Sequence, residues 1–389
     1  MREQRLAMLG LWIFALVLLP SLLQAEPRFA FKDGYKCGTC HVNHTGGGKR
    51  NAFGLLYTQT ELQPLWSKAS AKAESFSAQV GSSISLGADF MAVHETFFSV
   101  EEEGHPAGEA RTTYAQDAQN SFGVRSGQLY LEASLAPEVL SLYLDEIITP
   151  AGAQSREAFV LWQQLPLDGY LKFGRLLLPY GIRVWDDEAL IRQVTGFNFD
   201  NQDLGVELGL EPGNTSFSMA ISNGTQGAGD DNQGKELSSV GSVYLGNLVF
   251  GGSFSLNEAQ GIKRIAAGPF ASAHLGPATL MVEADWLRDQ GSAEQQQLIL
   301  YGSVDYWLRQ GIDLQLRYDF LDPYYRYRAP GATKAEKVEE DERSRLSLGA
   351  DALLTPFLSA SAHYHLQQSV PQDLRGNTDS FTLALHAFF

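Results

Sequence analysis

The chain has only 2 cysteines in 389 residues, too few for the disulfide framework on which many small exported domains rely. Cations are scarce beside anions. The 29 Lys and Arg against 45 Asp and Glu give a formal net charge of -16, which argues against a nucleic-acid partner, because phosphate binding depends on clustered positive charge. After the first 25 residues no apolar run is long enough for a membrane helix. Methionine is absent from residues 26–80.

The one apolar run opens the chain. "MREQRLAMLGLWIFALVLLPSLLQA" has a basic start, an apolar core and a small residue at Ala25, the pattern of a secretory signal peptide over 1–25. A retained anchor helix is the alternative, but the run is short for a span of ~20 residues. The full chain is rich in glycine, with 38, and is 11% aromatic. That composition fits an outer-membrane barrel, whose lipid face and polar lumen average to near-neutral hydropathy.

Both cysteines fall in "GYKCGTCHVNHTGGGKRNAFG", as Cys37, Gly38, Thr39, Cys40, His41. This C-x-x-C-H spacing is that of covalent c-type haem attachment. Two thiols add to the vinyl groups of one porphyrin edge while His41 supplies the proximal imidazole to the iron. A redox disulfide would sit near a βαβ pattern, which is not visible here. Zinc would need four ligands from Cys37, Cys40, His41 and His44, and adjacent Cys40 and His41 suit one tetrahedral ion poorly.

The sixth iron ligand stays open. His44 follows His41 by three positions and shares its side of any helix, so a surface or propionate-contacting place suits it better. Met91, His94 and His105 are the later candidates, with His94 put first as the distal ligand, and an open iron position is a further option. Downstream, Gly46, Gly47 and Gly48 permit a sharp turn or close approach. Lys49 and Arg50 are candidates to pair with the haem propionates, and Phe53, Leu56 and Tyr57 form a short helical stripe. Residues 26–75 therefore read as a small α-helical monohaem cytochrome c segment, with the covalent haem compensating for a core too small to be stable alone.

From about Gln79 the pattern turns to alternation. "GQLYLEASL", "YLKFGRLLL", "IDLQLRYDF" and "SFTLALHAFF" place apolar or aromatic residues at every second position. Long and short connections largely alternate between such segments: tight turns at "AP" 136–137, "PLDG" 166–169, "EPGN" 211–214 and "TP" 355–356, and long loops at about 99–122, 179–203, 223–236, 288–295, 321–342 and 368–379. The expected fold is all-β, an antiparallel outer-membrane barrel of about sixteen strands over 76–389. The acidic runs at 101–103 and 339–342 fall in its expected external loops and read as solvated.

Three resemblances add to this. The terminal Phe389 resembles the closing aromatic of bacterial outer-membrane barrels. "LKFGRLLLPYGIRVWDDEALIRQVTGFNFDNQDLGVELGL", 171–210, resembles the strand and long loop of phosphate-selective and related porins. There Arg175, Arg183 and Arg192 set against Asp186, Asp187 and Glu188 line a constriction, unless the stretch is a solvated loop of mixed charge. The whole order, signal peptide, C-x-x-C-H, then barrel, with "PRFAFKDGYKCGTCH" leading in, resembles the fused cytochrome-porins of the bacterial outer membrane, some of which are iron oxidases. That resemblance implies one covalent haem c on Cys37, Cys40 and His41. It implies electron exchange between a periplasmic c-type cytochrome and an extracellular partner such as Fe(II), with outer-membrane lipids around the barrel and the haem segment on the periplasmic side or inside the lumen. A diffusion porin for small solutes with a haem-bearing tether or sensor is the competing expectation. Peroxide or gas chemistry at a five-coordinate haem is a third.

Overall fold

The computed structural model describes residues 27–62, 65, 76–104, 112–150, 152–186, 188–230, 232–259, 261–309, 311–336, 341–370 and 373–389. The expected signal peptide, His105, Asp187 and most of 63–75 lie outside the described residues. Sixteen strands close into one barrel: β1 Ile84–Phe97, β2 Gln119–Ala136, β3 Leu140–Thr149, β4 Gln154–Leu165, β5 Gly169–Leu177, β6 Gln202–Leu210, β7 Thr215–Ser222, β8 Glu236–Leu245, β9 Leu248–Ala259, β10 Ile262–Leu275, β11 Ala278–Gln290, β12 Glu294–Arg309, β13 Ile312–Arg328, β14 Arg343–Thr355, β15 Leu358–Gln368 and β16 Ser380–Phe388.

Each strand pairs antiparallel with its neighbour in sequence, and β16 returns to β1 in a register running from Ser380 opposite Phe97 to Phe388 opposite Asp89. Phe389 locks that seam. Its N–H donates to the Ala88 carbonyl at 3.0 Å, and its carbonyl accepts from the Ala88 N–H at 3.2 Å. Closure leaves no sheet edge, as lipid requires, since an unpaired backbone group in hydrocarbon costs several kcal/mol.

The wall is apolar outside and polar inside. Along β13, Leu314, Leu316 and Tyr318 are exposed outward, while Asp313, Gln315, Arg317 and Asp319 between them are buried inward. The period of two in the sequence becomes a lipid face and a lumen face.

The ends of the barrel differ as expected, with three corrections. Turns at 137–139, 166–168, 211–214, 246–247, 276–277 and 356–357 gather at one end, and long connections at 98–118, 178–201, 223–235, 329–342 and 369–379 at the other. The loops expected at 288–295 and 321–342 are shorter, because β11, β12 and β13 continue beyond the apolar band. Cross-strand ion pairs hold these polar extensions together, Arg288 to Glu294 at 2.8 Å and Arg328 to Glu294 at 2.7 Å. The first barrel strand begins at Ile84 rather than near 79, because Gly81 turns the chain in the left-handed region and folds Gln79–Val80 back onto β1.

Two segments fill the lumen. From the short-turn end enters the N-terminal segment, with helices α1 Pro27–Asp33, α2 Cys37–Cys40 and α3 Ala52–Thr60. It is anchored to inward-facing wall residues: Arg28 on β12, β13 and β14 through Asp305, Asp313 and Asp351, Asn43 on Glu157 at 2.9 Å, and Lys49 on Glu132 at 3.2 Å.

From the other end comes the β5–β6 connection, 178–201, carrying helix α4 Leu190–Thr195. It is not a solvated loop. Leu178, Tyr180, Ile182, Ala189 and Ile191 are buried against wall residues such as Val249, Met281, Ile299 and Leu321. Several of its polar groups are matched too: Tyr180 Oη donates to Asp285 at 3.1 Å, the Ile182 N–H to Glu283 at 3.0 Å, and Arg345 holds Asp186 at 2.6 Å.

Candidate functional site

The Cys37–Cys40 turn is a single helical turn closed by the His41 N–H to the Cys37 carbonyl at 3.0 Å. One residue fixes it to the next helix. Asn51 caps α3, its Oδ1 accepting from the Gly54 N–H at 2.9 Å, while its Nδ2 donates to the carbonyls of Gly38 at 3.1 Å and Thr39 at 3.0 Å. The Asn51 N–H donates to the Cys40 carbonyl at 3.0 Å. Gly54 is obligatory at this junction, because a Cβ there would run into the Cys40 carbonyl oxygen.

The glycine triplet turns sharply, as expected: Gly46, Gly47 and Gly48 have φ of 90°, 79° and 63°, values that side chains rarely tolerate. The turn carries the chain from the Cys37–Cys40 helix to the lumen wall, where the Lys49 N–H donates to Tyr143 Oη at 2.9 Å.

Cys37, Cys40 and His41 open together into one half-open cleft. Phe29, Tyr35, Tyr57, Leu62, Trp185 and Phe199 give it apolar walls, and Arg50 and Arg183 place two guanidiniums at its border. His41 has an enclosed Nδ1 without a hydrogen-bond partner. Burial, assisted by the Arg50 charge, brings its imidazole down to about 4, so the ring is neutral at neutral pH, as metal ligation requires. The two thiols are unbonded to each other. Burial pushes Cys37 up to about 11 and raises Cys40 as well, which disfavours a thiolate nucleophile or thiolate ligand and suits neutral thioethers. The donor set, the aromatic and apolar walls and the two cations fit a haem.

Other expectations are redistributed. His94 lies on the outer face of β1 with its ring against exposed Phe122 at 4.5 Å. The alternation of β1 turns the side chain of this expected distal ligand away from the lumen. Met91 faces inward and packs beside Trp185, but neither it nor any described histidine other than His41 lines the cleft. His44 is at neither the surface nor the cleft: it stacks on Tyr170 at 4.2 Å and meets Gln163 at 2.9 Å. Lys49 faces Glu132, so of the expected propionate pair only Arg50 borders the cleft. In α3 the Asn51 cap sets the phase, so Gly54, Tyr57 and Thr58 face the cleft while Phe53 and Leu56 are exposed.

The loop charges separate likewise. Arg192 pairs with Glu283, Asp186 with Arg345, and Arg183 turns to the cleft. Sequence reasoning missed Trp185 and Phe199 as cleft walls and Asn51 as the brace. It also missed His386, which meets Asp89 and borders, with His41 and Trp185, a second, small space of about 40 Å³. Only the barrel's closure brings these together.

No family model and no curated protein matches the chain. Solved structures do. The anion-selective porin from Comamonas acidovorans superposes with a TM-score of 0.57 at 11% identity, covering 79% of this chain and 99% of that one. OmpT, an outer membrane protein of Vibrio cholerae, gives 0.57 at 9% identity, covering 79% and 100%. The outer membrane channel DcaP of Acinetobacter baumannii gives 0.53 at 9% identity, covering 80% and 99%. At such identities the likeness concerns architecture alone, and the architecture is that of a porin-like, sixteen-stranded antiparallel barrel.

Proposed function

We propose that this chain is a bacterial outer-membrane protein in which a monohaem c-type segment occupies a porin-like barrel, and that it passes electrons between an extracellular partner and a periplasmic cytochrome. The observation that carries the reading is the convergence of Cys37, Cys40 and His41 on one apolar cleft inside the lumen. A haem bound there would supply a one-electron iron couple. Around it, His41 is held neutral, the cysteines share one helical turn, and the N-terminal segment and the β5–β6 connection together exclude much of the lumen water. Short turns face the periplasm in barrels of this kind, which favours that side for the N-terminal segment. An apolar band ~25 Å tall is too deep for a group at one mouth to serve both sides, so a position inside the wall favours passage across it.

The fold supports a diffusion porin at least as well, because the neighbouring structures are porins and channels. A polar vestibule of about 390 Å³ at the long-loop end, bordered by Asp203, Glu236, Asn257 and Arg264, favours that reading. In it the haem segment is a tether or sensor.

One experiment separates the two. Outer membranes carrying the protein are examined by absorbance before and after ferrous iron is added outside intact cells, with Cys37→Ala/Cys40→Ala as the control. Reduced c-type bands that depend on both cysteines support inward electron transfer. Bands that respond only to dithionite remove iron oxidation, and solute-sized conductance of the unaltered protein in planar bilayers would then favour the porin.

A further inference from the structure

Two cations at the cleft are in no close ion pair among the described residues, with Asp89 acting on Arg50 and Glu157 on Arg183 only from a longer distance. Arg50 faces the cleft with its guanidinium over the Phe388 ring at 4.2 Å, and no described carboxylate lies within ion-pair distance of it. Arg183, 9% exposed, donates one bond to the Leu178 carbonyl at 2.9 Å, its Nε has no partner, and it too lacks a carboxylate. Other buried arginines of the lumen are paired: Arg28 with three aspartates, Arg156 with Asp145 at 2.6 Å, and Arg345 with Asp186 and Asp319. A charge drawn out of water without a close partner is unfavourable, and half-buried Arg50 and buried Arg183 bordering one cleft suit an anionic ligand with two acceptors.

We propose that Arg50 and Arg183 form a two-armed clamp for the two propionates of the haem, so that the β5–β6 connection holds the cofactor jointly with the N-terminal segment. The proposal rests on the haem reading above. Guanidinium matches carboxylate in two-pronged geometry, and the haem is the ligand class whose attachment points, Cys37 and Cys40, line the same cleft. The two arms come from opposite ends of the barrel. Covalent loading of the N-terminal segment would therefore also fasten the inward connection from the long-loop side, where Trp185 and Phe199 already form part of the cleft wall.

The test is the midpoint potential of the full-length protein in detergent, measured by spectroelectrochemistry for the unaltered chain and for Arg50→Gln, Arg183→Gln and Arg183→Lys. Removing a cation beside a propionate disfavours the reduced haem, which carries one electron more. Each Gln variant is expected to lower the reduced-to-oxidised ratio at fixed poise about tenfold, which for one electron is about 59 mV. Arg183→Lys keeps most of the potential, and Gln193→Ala, exposed on α4, leaves it unchanged. Unmoved potentials in both Gln variants with an intact c-type spectrum overturn the clamp. Resonance Raman of the propionate bending band in the unaltered protein covers the case of a variant that fails to fold. A shift between H₂O and D₂O supports guanidinium N–H donors, and its absence overturns the clamp. A pyridine haemochrome assay of the unaltered protein keeps the two levels apart: without covalent haem the haem reading itself falls.

Discussion

Arg28 Nη2 lies 2.9 Å from Asp351, and the same guanidinium reaches Asp305 at 2.8 Å and Asp313 at 3.0 Å. One side chain of α1 thus joins three adjacent strands from within the lumen. Removing it takes one guanidinium from three buried carboxylates, of which Asp351 keeps His363 at 3.0 Å, a loss of about 3–5 kcal/mol for a broken buried ion pair. Arg28→Met is expected to loosen the N-terminal segment and raise single-channel conductance in planar bilayers toward that of a chain lacking residues 26–75. Conductance equal to that of the unaltered protein in both variants would refute a lumen-filling role for the segment.

Asn51 braces the cysteine turn through two carbonyls and caps α3. Asn51→Ala removes all of these bonds at once, and loss of the cap alone costs about 1 kcal/mol. We expect fewer chains to carry covalent haem, measured by haem staining against total protein, with the barrel's heat-resistant mobility in gels unchanged. Asn51→Asp keeps the cap but not the donors, and should fall between.

Gly54→Ala is expected to be the more severe change. The added methyl meets the Cys40 backbone oxygen rather than a movable side chain, and overpacking of this kind costs about 1–3 kcal/mol. The same staining assay should show less haem than in Asn51→Ala, and an unaffected yield would contradict the helix-to-turn contact.

Acid should release the β5–β6 connection. Burial alone would raise the Asp186 carboxyl, but the Arg345 and Arg317 guanidiniums override it and hold the group well below its ordinary 3.8. A depressed carboxylate contributes stability that is complete above its unfolded value and is lost as pH falls below it. Conductance should therefore be flat between about pH 7 and 5 and rise below about pH 4. In Asp186→Asn that acid step should shrink, with conductance already higher at neutral pH; an identical pH profile in the variant would rule the ion pair out as the latch.

The period-two alternation and the loop asymmetry are enough by themselves to determine a barrel, because only a closed sheet satisfies strands that face lipid on one side and water on the other. The C-x-x-C-H spacing likewise marks Cys37, Cys40 and His41 unaided, since the chemistry is local to five consecutive residues. Strand ends are less legible at 288–295 and 321–342, where cross-strand pairs such as Arg328 with Glu294 prolong the ladder past the apolar residues that signal it.

What only the tertiary structure decided is which residues meet. The direction of His94 follows from strand phase and that of Gly54 and Tyr57 from the Asn51 cap. The partners of Arg28 lie more than 270 positions away in sequence. Arg183, Trp185 and Phe199 reach the cysteines because the β5–β6 connection folds inward on buried apolar side chains instead of outward into water. Loop composition is blind to that choice, since it is made by the free energy of burying Leu178, Tyr180 and Ile191 against a wall assembled from strands β9 to β13.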